Sequence, residues 1–142
     1  MARYEIIKID YIGSVISVNH YKYAGGRFTR KETKQWMEEL GWLIKPLHFE
    51  DWTLPLGITC DGVFRDLRSA PDLSNLSKVI CDAIEEVTGI NDKNFRWHDG
   101  ERVIDKSKSP FLLITIREND TKLPSKPLQS KSRRVKSSSR VI

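Results

Sequence analysis

The chain is predicted to fold as an α+β domain, a mixed β-sheet with two main helices in the order β-α-β-α-β-β. Two periodicities and one composition boundary predict it. Apolar residues alternate with polar ones in four stretches and recur at helical spacing in two others. Past residue 120 both patterns stop. A folded domain is therefore expected over residues 1–120, and a basic, Ser/Lys/Arg-rich disordered tail over 121–142. With 142 residues, 39% apolar and 30% charged, the chain can build one hydrophobic core and not two.

Residues 4–12 (YEIIKIDYI) set Ile7, Ile9 and Tyr11 against Lys8 and Asp10, which predicts a first strand. A loop follows from Asn19 to Phe28, punctuated by Gly25-Gly26. Thr29 and Glu32 have the spacing of a capping box, and Trp36, Leu40, Leu43 and Ile44 recur at helical intervals, which predicts a helix over about 30–44 closed by Pro46. Leu54, Leu56, Ile58 and Cys60 alternate ahead of Val63-Phe64, so a second strand is expected over about 54–64, with a bend near Gly57 or Gly62. After the charged loop from Arg65 to Pro71, Leu76, Ile80, Ala83, Ile84 and Val87 form one apolar helix face. Asp72 or Ser74 is placed to cap its start, and Gly89 to stop it. Residues 94–105 and 110–118 complete the sheet, joined around Lys106–Pro110 by a hairpin or a loose connection.

The formal net charge of +5 suggests nucleic acid until it is divided along the chain. The tail holds seven Lys or Arg and no acid, while the other 120 residues hold 17 basic and 19 acidic groups. The tail is either a non-specific DNA tether or an unselected extension. No uncharged stretch approaches the roughly 20 residues of a membrane span. Arg3, Glu5, Lys8 and Asp10 interrupt the first apolar run where a signal peptide would need continuity, so a cytoplasmic protein without a membrane partner is expected. Cys60 and Cys81 are read as reduced core residues, and His20, His48 and His98, which lack metal-ligand spacing, as surface residues. Trp36, Trp42, Trp52 and Trp97 are assigned to the core or an interface.

The second helix carries the candidate chemistry. Asn75, Lys78 and Asp82 share one edge away from its apolar face; Asp72 stands at its entrance and Asp92 just past its end. Two carboxylates brought together beside an open position suit Mg²⁺, which activates water and neutralises phosphate charge, and a nearby Lys can stabilise the leaving oxygen. The same residues also admit a plainer account: Asp72 as an N-cap, and Lys78 with Asp82 as an i,i+4 pair on a solvated face.

The segment Asp72-Leu73-Ser74-Asn75-Leu76-Ser77-Lys78, followed by Asp82-Ala83-Ile84 and Asn91-Asp92, resembles the signature of the RusA family of Holliday junction resolvases. That signature is Asp-Leu-Asp-Asn-Leu, a Lys two residues on, an Asp-Ala-Leu step and an Asp-Asp pair near the next strand. Ser17-Val18-Asn19-His20-Tyr21, followed by Arg27, is similar to the family's Pro-Ser-Asn-Asn opening, and the likeness covers about residues 5–118. It implies a RusA-like fold and a homodimeric, Mg²⁺-dependent endodeoxyribonuclease, with Mn²⁺ as a substitute ion. Such an enzyme nicks four-way junction DNA symmetrically in recombination and repair and uses no nucleotide cofactor. Asp72, Lys78 and Asp92 match the catalytic positions; Asp72, Ser74 and Asp92 match the metal positions; Asn75 matches an orienting residue.

Ser74 and Asn91 depart from the signature, each standing where the family carries an Asp. Asp66 or Asp82 is placed to compensate, although Asp82 also suits a structural pair with Lys78. The alternative is a non-catalytic branched-DNA-binding protein that kept the fold with a weakened metal site. Asn19, Tyr21, Lys22, Arg27 and Arg30 lie in a basic and aromatic segment suited to phosphates and unpaired bases, or to an ordinary solvated surface. Arg65 and Arg68 would flank a scissile phosphate or pair with Asp66.

Overall fold

The structure is a computed structural model that describes residues 2–17, 22–23 and 28–121. The proposed tail, apart from Thr121, lies outside the described residues, as do Asn19, Tyr21 and Arg27. Strand β1 (Tyr4–Asp10) is followed by a short pair, β2 (Lys22–Tyr23) and β3 (Phe28–Thr29), then by helix α1 (Lys31–Ile44), strand β4 (Leu56–Phe64), helix α2 (Ser77–Thr88), and strands β5 (Phe95–Ile104) and β6 (Phe111–Arg117). The α+β expectation is met, with a four-stranded mixed sheet in the order β1-β6-β4-β5.

The sheet order follows from two kinds of connection. β5 pairs parallel with β4, which requires a crossover, and α2 supplies it. β6 then enters between β1 and β4, antiparallel to both. Of the two connections expected around Lys106–Pro110, the hairpin is therefore excluded: β6 passes to the far side of β4. The two-residue β2–β3 pair was not expected, because segments this short carry no periodicity.

Alternation places Ile7 and Ile9 of β1, Leu56, Ile58 and Cys60 of β4, and Leu112, Ile114 and Ile116 of β6 on one buried face. α1 meets that face through Trp36, Leu40 and Ile44, and α2 through Val79, Ile80, Ala83 and Ile84. The two helices also pack on each other. The expected capping box at α1 does not form. Thr29 is in β3, the helix begins from an extended Arg30 without a side-chain cap, and α1 is anchored instead by Thr33 Oγ1 donating to Val15 O at 2.5 Å and by Trp36 Nε1 donating to Asp10 O at 2.7 Å. α2 ends at Gly89 in the left-handed region (φ 77°), where its amide donates to Glu85 O at 2.8 Å. Among the described residues no helix is long and apolar enough to cross a membrane.

Trp36 and Trp52 are buried and Trp97 is half-buried, but Trp42 is 74% exposed, which leaves only the interface half of its assignment open. Cys60 is buried and Cys81 half-buried, and both are free thiols. Burial pushes each thiol up to about 12, reinforced at Cys81 by the nearby Asp82 and Asp92 charges. His48 and His98 are exposed, as expected; His20 lies outside the described residues.

Candidate active site

The chain leaves β4 through the exposed loop that carries Arg65 and Arg68 and reaches Asp72 at the mouth of α2. Asp66 accepts from the Ser69 amide at 2.8 Å, and hydrogen bonding from Ser69 holds its carboxyl below the usual range. Arg65 and Arg68 are both exposed, and the Arg65 charge and the Arg68 amide add to the lowering of the Asp66 carboxyl.

Asp72 holds the N-cap position of a 3-10 turn, Leu73–Leu76, that runs directly into α2. Its backbone carbonyl accepts from the Asn75 amide at 3.0 Å, but its side chain makes no capping bond. The plain account of Asp72 as a side-chain cap therefore fails, and its exposed carboxylate is available to a ligand. Leu73 and Leu76 are buried and fix the turn; Asp72 and Ser74 point outward between them.

The opposite wall comes from β5. Asp72 and Ser74 share an open cleft with Asp99, Gly100, Glu101 and Arg102. A bulge shapes that wall: the β4–β5 register shifts between Cys60 and Gly62, leaving Gly100 and Glu101 opposite the single residue Asp61. Asp61 Oδ1 accepts from the Glu101 amide at 2.7 Å, which satisfies a donor the bulge removes from the ladder. A Cβ at position 100 would fall onto that carboxylate, so glycine is required by close approach. Asp99 is steered by Trp97 Nε1, which donates to its Oδ1 at 2.7 Å, and Arg102 Nη1 donates to Pro71 O at 3.3 Å, tying β5 to the residue before Asp72.

A second acidic group runs along α2 from its middle turn to the loop past its end. Carboxylate oxygens of Asp82, Glu85 and Asp92 all fall within 4.8 Å of one another. Lys78 Nζ donates to Asp82 Oδ1 at 3.4 Å across one helical turn. Asn91, which replaces an acid of the signature, caps a short turn by accepting from the Lys93 amide at 2.9 Å, so its carbonyl oxygen already has a partner. Asn75 is half-buried and forms the end of the Asp72 turn.

Asp72 and Asp92 therefore flank α2. Asp92 folds back beside Asp82 and Glu85, from the middle of the helix onward, whereas Asp72 opens into the separate cleft with Ser74. Of the basic candidates, Arg30, Arg65 and Arg68 are exposed and Lys22 lies in β2. Glu85, Asp99, Glu101 and Arg102 were missed by sequence reasoning. The run Asp99-Gly100-Glu101-Arg102 inside a strand was the available signal, since a glycine amid charges in a β-segment marks a bulge.

Comparison with known proteins gives the class first: most of the chain matches a DNA-cutting enzyme family. The family described as endodeoxyribonuclease RusA matches residues 15–117. The chain belongs to the RusA endodeoxyribonuclease family. No curated protein matches the sequence. Among solved structures the chain is similar to an IspF–CDP complex from Plasmodium falciparum, at 13% identity and a TM-score of 0.35, with 59% of this chain and 53% of that chain covered. The chain thus spans about half the length of that structure, and a likeness of this degree carries no argument.

Proposed function

We propose that the chain is a divalent-metal-dependent endonuclease that resolves four-way DNA junctions as a homodimer. One observation carries the reading: Asp72, at the position of the family's first acidic residue, holds a cap position without capping, and its carboxylate opens into a cleft walled by Asp99 and Glu101. The donor chemistry fits a hard cation. Asp72, Ser74, Asp82, Glu85 and Asp92 offer oxygen ligands only, the set suited to Mg²⁺ or Mn²⁺. Such an ion, when bound, would polarise the scissile phosphate and favour deprotonation of water.

The protein's own groups supply the rest. Arg65 and Arg68 hold DNA phosphates beside the cleft, where guanidinium forks match phosphate oxygens. Lys78, on the first turn of α2 and half-exposed, keeps two ammonium donors beyond its bond to Asp82 and can donate to a leaving or non-bridging oxygen. Asn75 and the buried Leu73 and Leu76 hold Asp72 in place. The direct test is incubation of the full chain with a labelled four-way junction in Mg²⁺ and in Mn²⁺. Paired nicks near the branch point support the reading, and an intact junction under both ions rejects it.

A second reading rests on Ser74 and Asn91. Both are uncharged where the signature has acids, and Asn91 accepts a backbone hydrogen bond, which favours a junction-binding protein with a weakened metal site. In that case junctions bind in preference to duplex DNA, and the chain cuts only after Ser74→Asp restores an acid.

A further inference from the structure

Arg102 faces the cleft because β5 carries a bulge. Cys60 and Phe64 of β4 belong to the core, so Gly62 between them shares the face of the sheet that the helices cover. Asp99 pairs with Cys60 and Arg102 with Gly62, which puts both on that face. In a regular strand two residues three apart point to opposite faces. The extra residue, accommodated by Gly100 and Glu101 opposite Asp61, reverses that outcome and turns Arg102 toward Pro71 and Asp72.

The guanidinium that arrives there is only partly used. Nη1 donates to Pro71 O at 3.3 Å, and among the described residues Arg102 forms no ion pair with Asp72, Asp99 or Glu101, although all of them line the same cleft. Its remaining N–H donors and the full charge of an exposed side chain are left for a ligand.

We propose that Arg102 holds the DNA phosphate seated in this cleft, gripping the oxygens that an ion at Asp72 and Ser74 does not take. The proposal rests on the nuclease reading above and names a residue that seats its substrate. A planar guanidinium matches phosphate oxygens in a two-bond fork, while the bond to Pro71 fixes its place beside Asp72. The carboxylates of the cleft would repel a phosphate, so a cation held among them works with the bound ion to let the polyanion approach.

The plainer role for Arg102 is to tie β5 to Pro71. Arg102→Gln separates the two, since its amide can still donate to Pro71 O but carries no charge. Binding of the full chain to a labelled four-way junction is titrated in Ca²⁺, used in place of Mg²⁺ to slow cutting. A neutral methylphosphonate replaces one phosphate at a time around the branch point. A phosphate held by Arg102 predicts one position where the neutral linkage weakens wild-type binding roughly tenfold and Arg102→Gln binding hardly at all. Arg102→Lys, which keeps the charge, should stay sensitive at that position. Unchanged binding of the unmodified junction by Arg102→Gln overturns the proposal, as does a loss that is the same at every linkage. Melting midpoints are taken for each variant. If Arg102→Gln does not fold, Arg102→Lys decides: a sensitive position supports the contact, and none overturns it. Wild-type cutting in Mg²⁺ judges the nuclease reading separately. A sensitive position without cutting supports the Arg102 contact and rejects that reading, cutting without a sensitive position does the reverse, and a chain that binds no junction rejects both.

Discussion

Ser74 and the acid that the signature carries at its position differ by a full negative charge at neutral pH, and cation affinity in an oxygen site rises with ligand charge. Ser74→Asp is expected to tighten Mn²⁺ binding by roughly tenfold, about 1.4 kcal/mol, measurable by calorimetric titration. No change would mean that position 74 does not reach the ion. Asp72→Asn keeps the shape of the side chain and removes its charge. It should lower junction cleavage by roughly a thousandfold or more, about 4 kcal/mol of transition-state stabilisation. Junction binding should hold or tighten slightly, because a repulsive charge beside phosphate is gone; a parallel loss of binding in a gel-shift titration would assign Asp72 to holding DNA. Cys60 and Cys81 belong to the structure and not to the chemistry. With burial pushing both thiols up to about 12, neither is appreciably thiolate at pH 8, and a thiol reagent should label them slowly until denaturant is added.

Among the elements, α2 and β5 divide what was legible from what was not. The apolar spacing of Leu76, Ile80, Ala83 and Ile84 gave α2 and its buried face, and Gly89 gave its end, because helix periodicity and the left-handed cap are local properties. Val79, fully buried beside them, escaped only because it sits at the margin of the stripe. Gly89→Ala adds a Cβ where φ is 77° and should cost about 1 kcal/mol, read as a fall of several degrees in the melting midpoint. The β5 bulge was not legible, since it depends on which residue of β4 lies opposite, and pairing is a tertiary choice. The same reason left hairpin and loose connection undecided at Lys106–Pro110. Gly100→Ala tests the bulge directly: the new Cβ displaces the Asp61 carboxylate from the Glu101 amide and shifts the β5 wall of the cleft. Weaker Mn²⁺ binding is expected together with a loss of stability, because the new Cβ also meets the Cys60 backbone carbonyl at 2.7 Å, and unchanged Mn²⁺ binding in the folded variant would remove the β5 wall from the site. Helical periodicity likewise placed Asp72 and Asp92 at the two ends of α2 but gave no information on what each end faces.

Over the whole molecule, the start of the described chain is closed against the end of the sheet through Glu118. Arg3 pairs with it through Nε and Nη2, both at 3.1 Å, the Arg3 amide donates at 2.9 Å, and the Thr53 amide adds a further bond at 2.9 Å. This one carboxylate therefore joins the segment before β1, the loop before β4 and the residue after β6, although those positions are far apart in sequence. The Arg3 hydrogen bonds, followed by that from Thr53, lower its carboxyl to about 2. The folded value lies below the unfolded one, near 4.3, so the folded protein binds its proton less readily. The stabilisation from Glu118 is complete above the unfolded value and is lost as pH falls toward about 2. Glu118→Gln keeps the size of the side chain but cannot ionise, so it should melt below the wild-type chain at pH 7. That difference should shrink steadily as pH drops from about 4.5 to about 2, because the wild-type carboxyl becomes neutral while the amide is unchanged. Melting curves for both chains across this range give the comparison. A gap that stays constant to the lowest pH would show that Glu118 acts through its shape rather than its charge, whereas convergence would identify the carboxylate as an acid-sensitive tie among the ends of the neighbouring strands β1, β6 and β4.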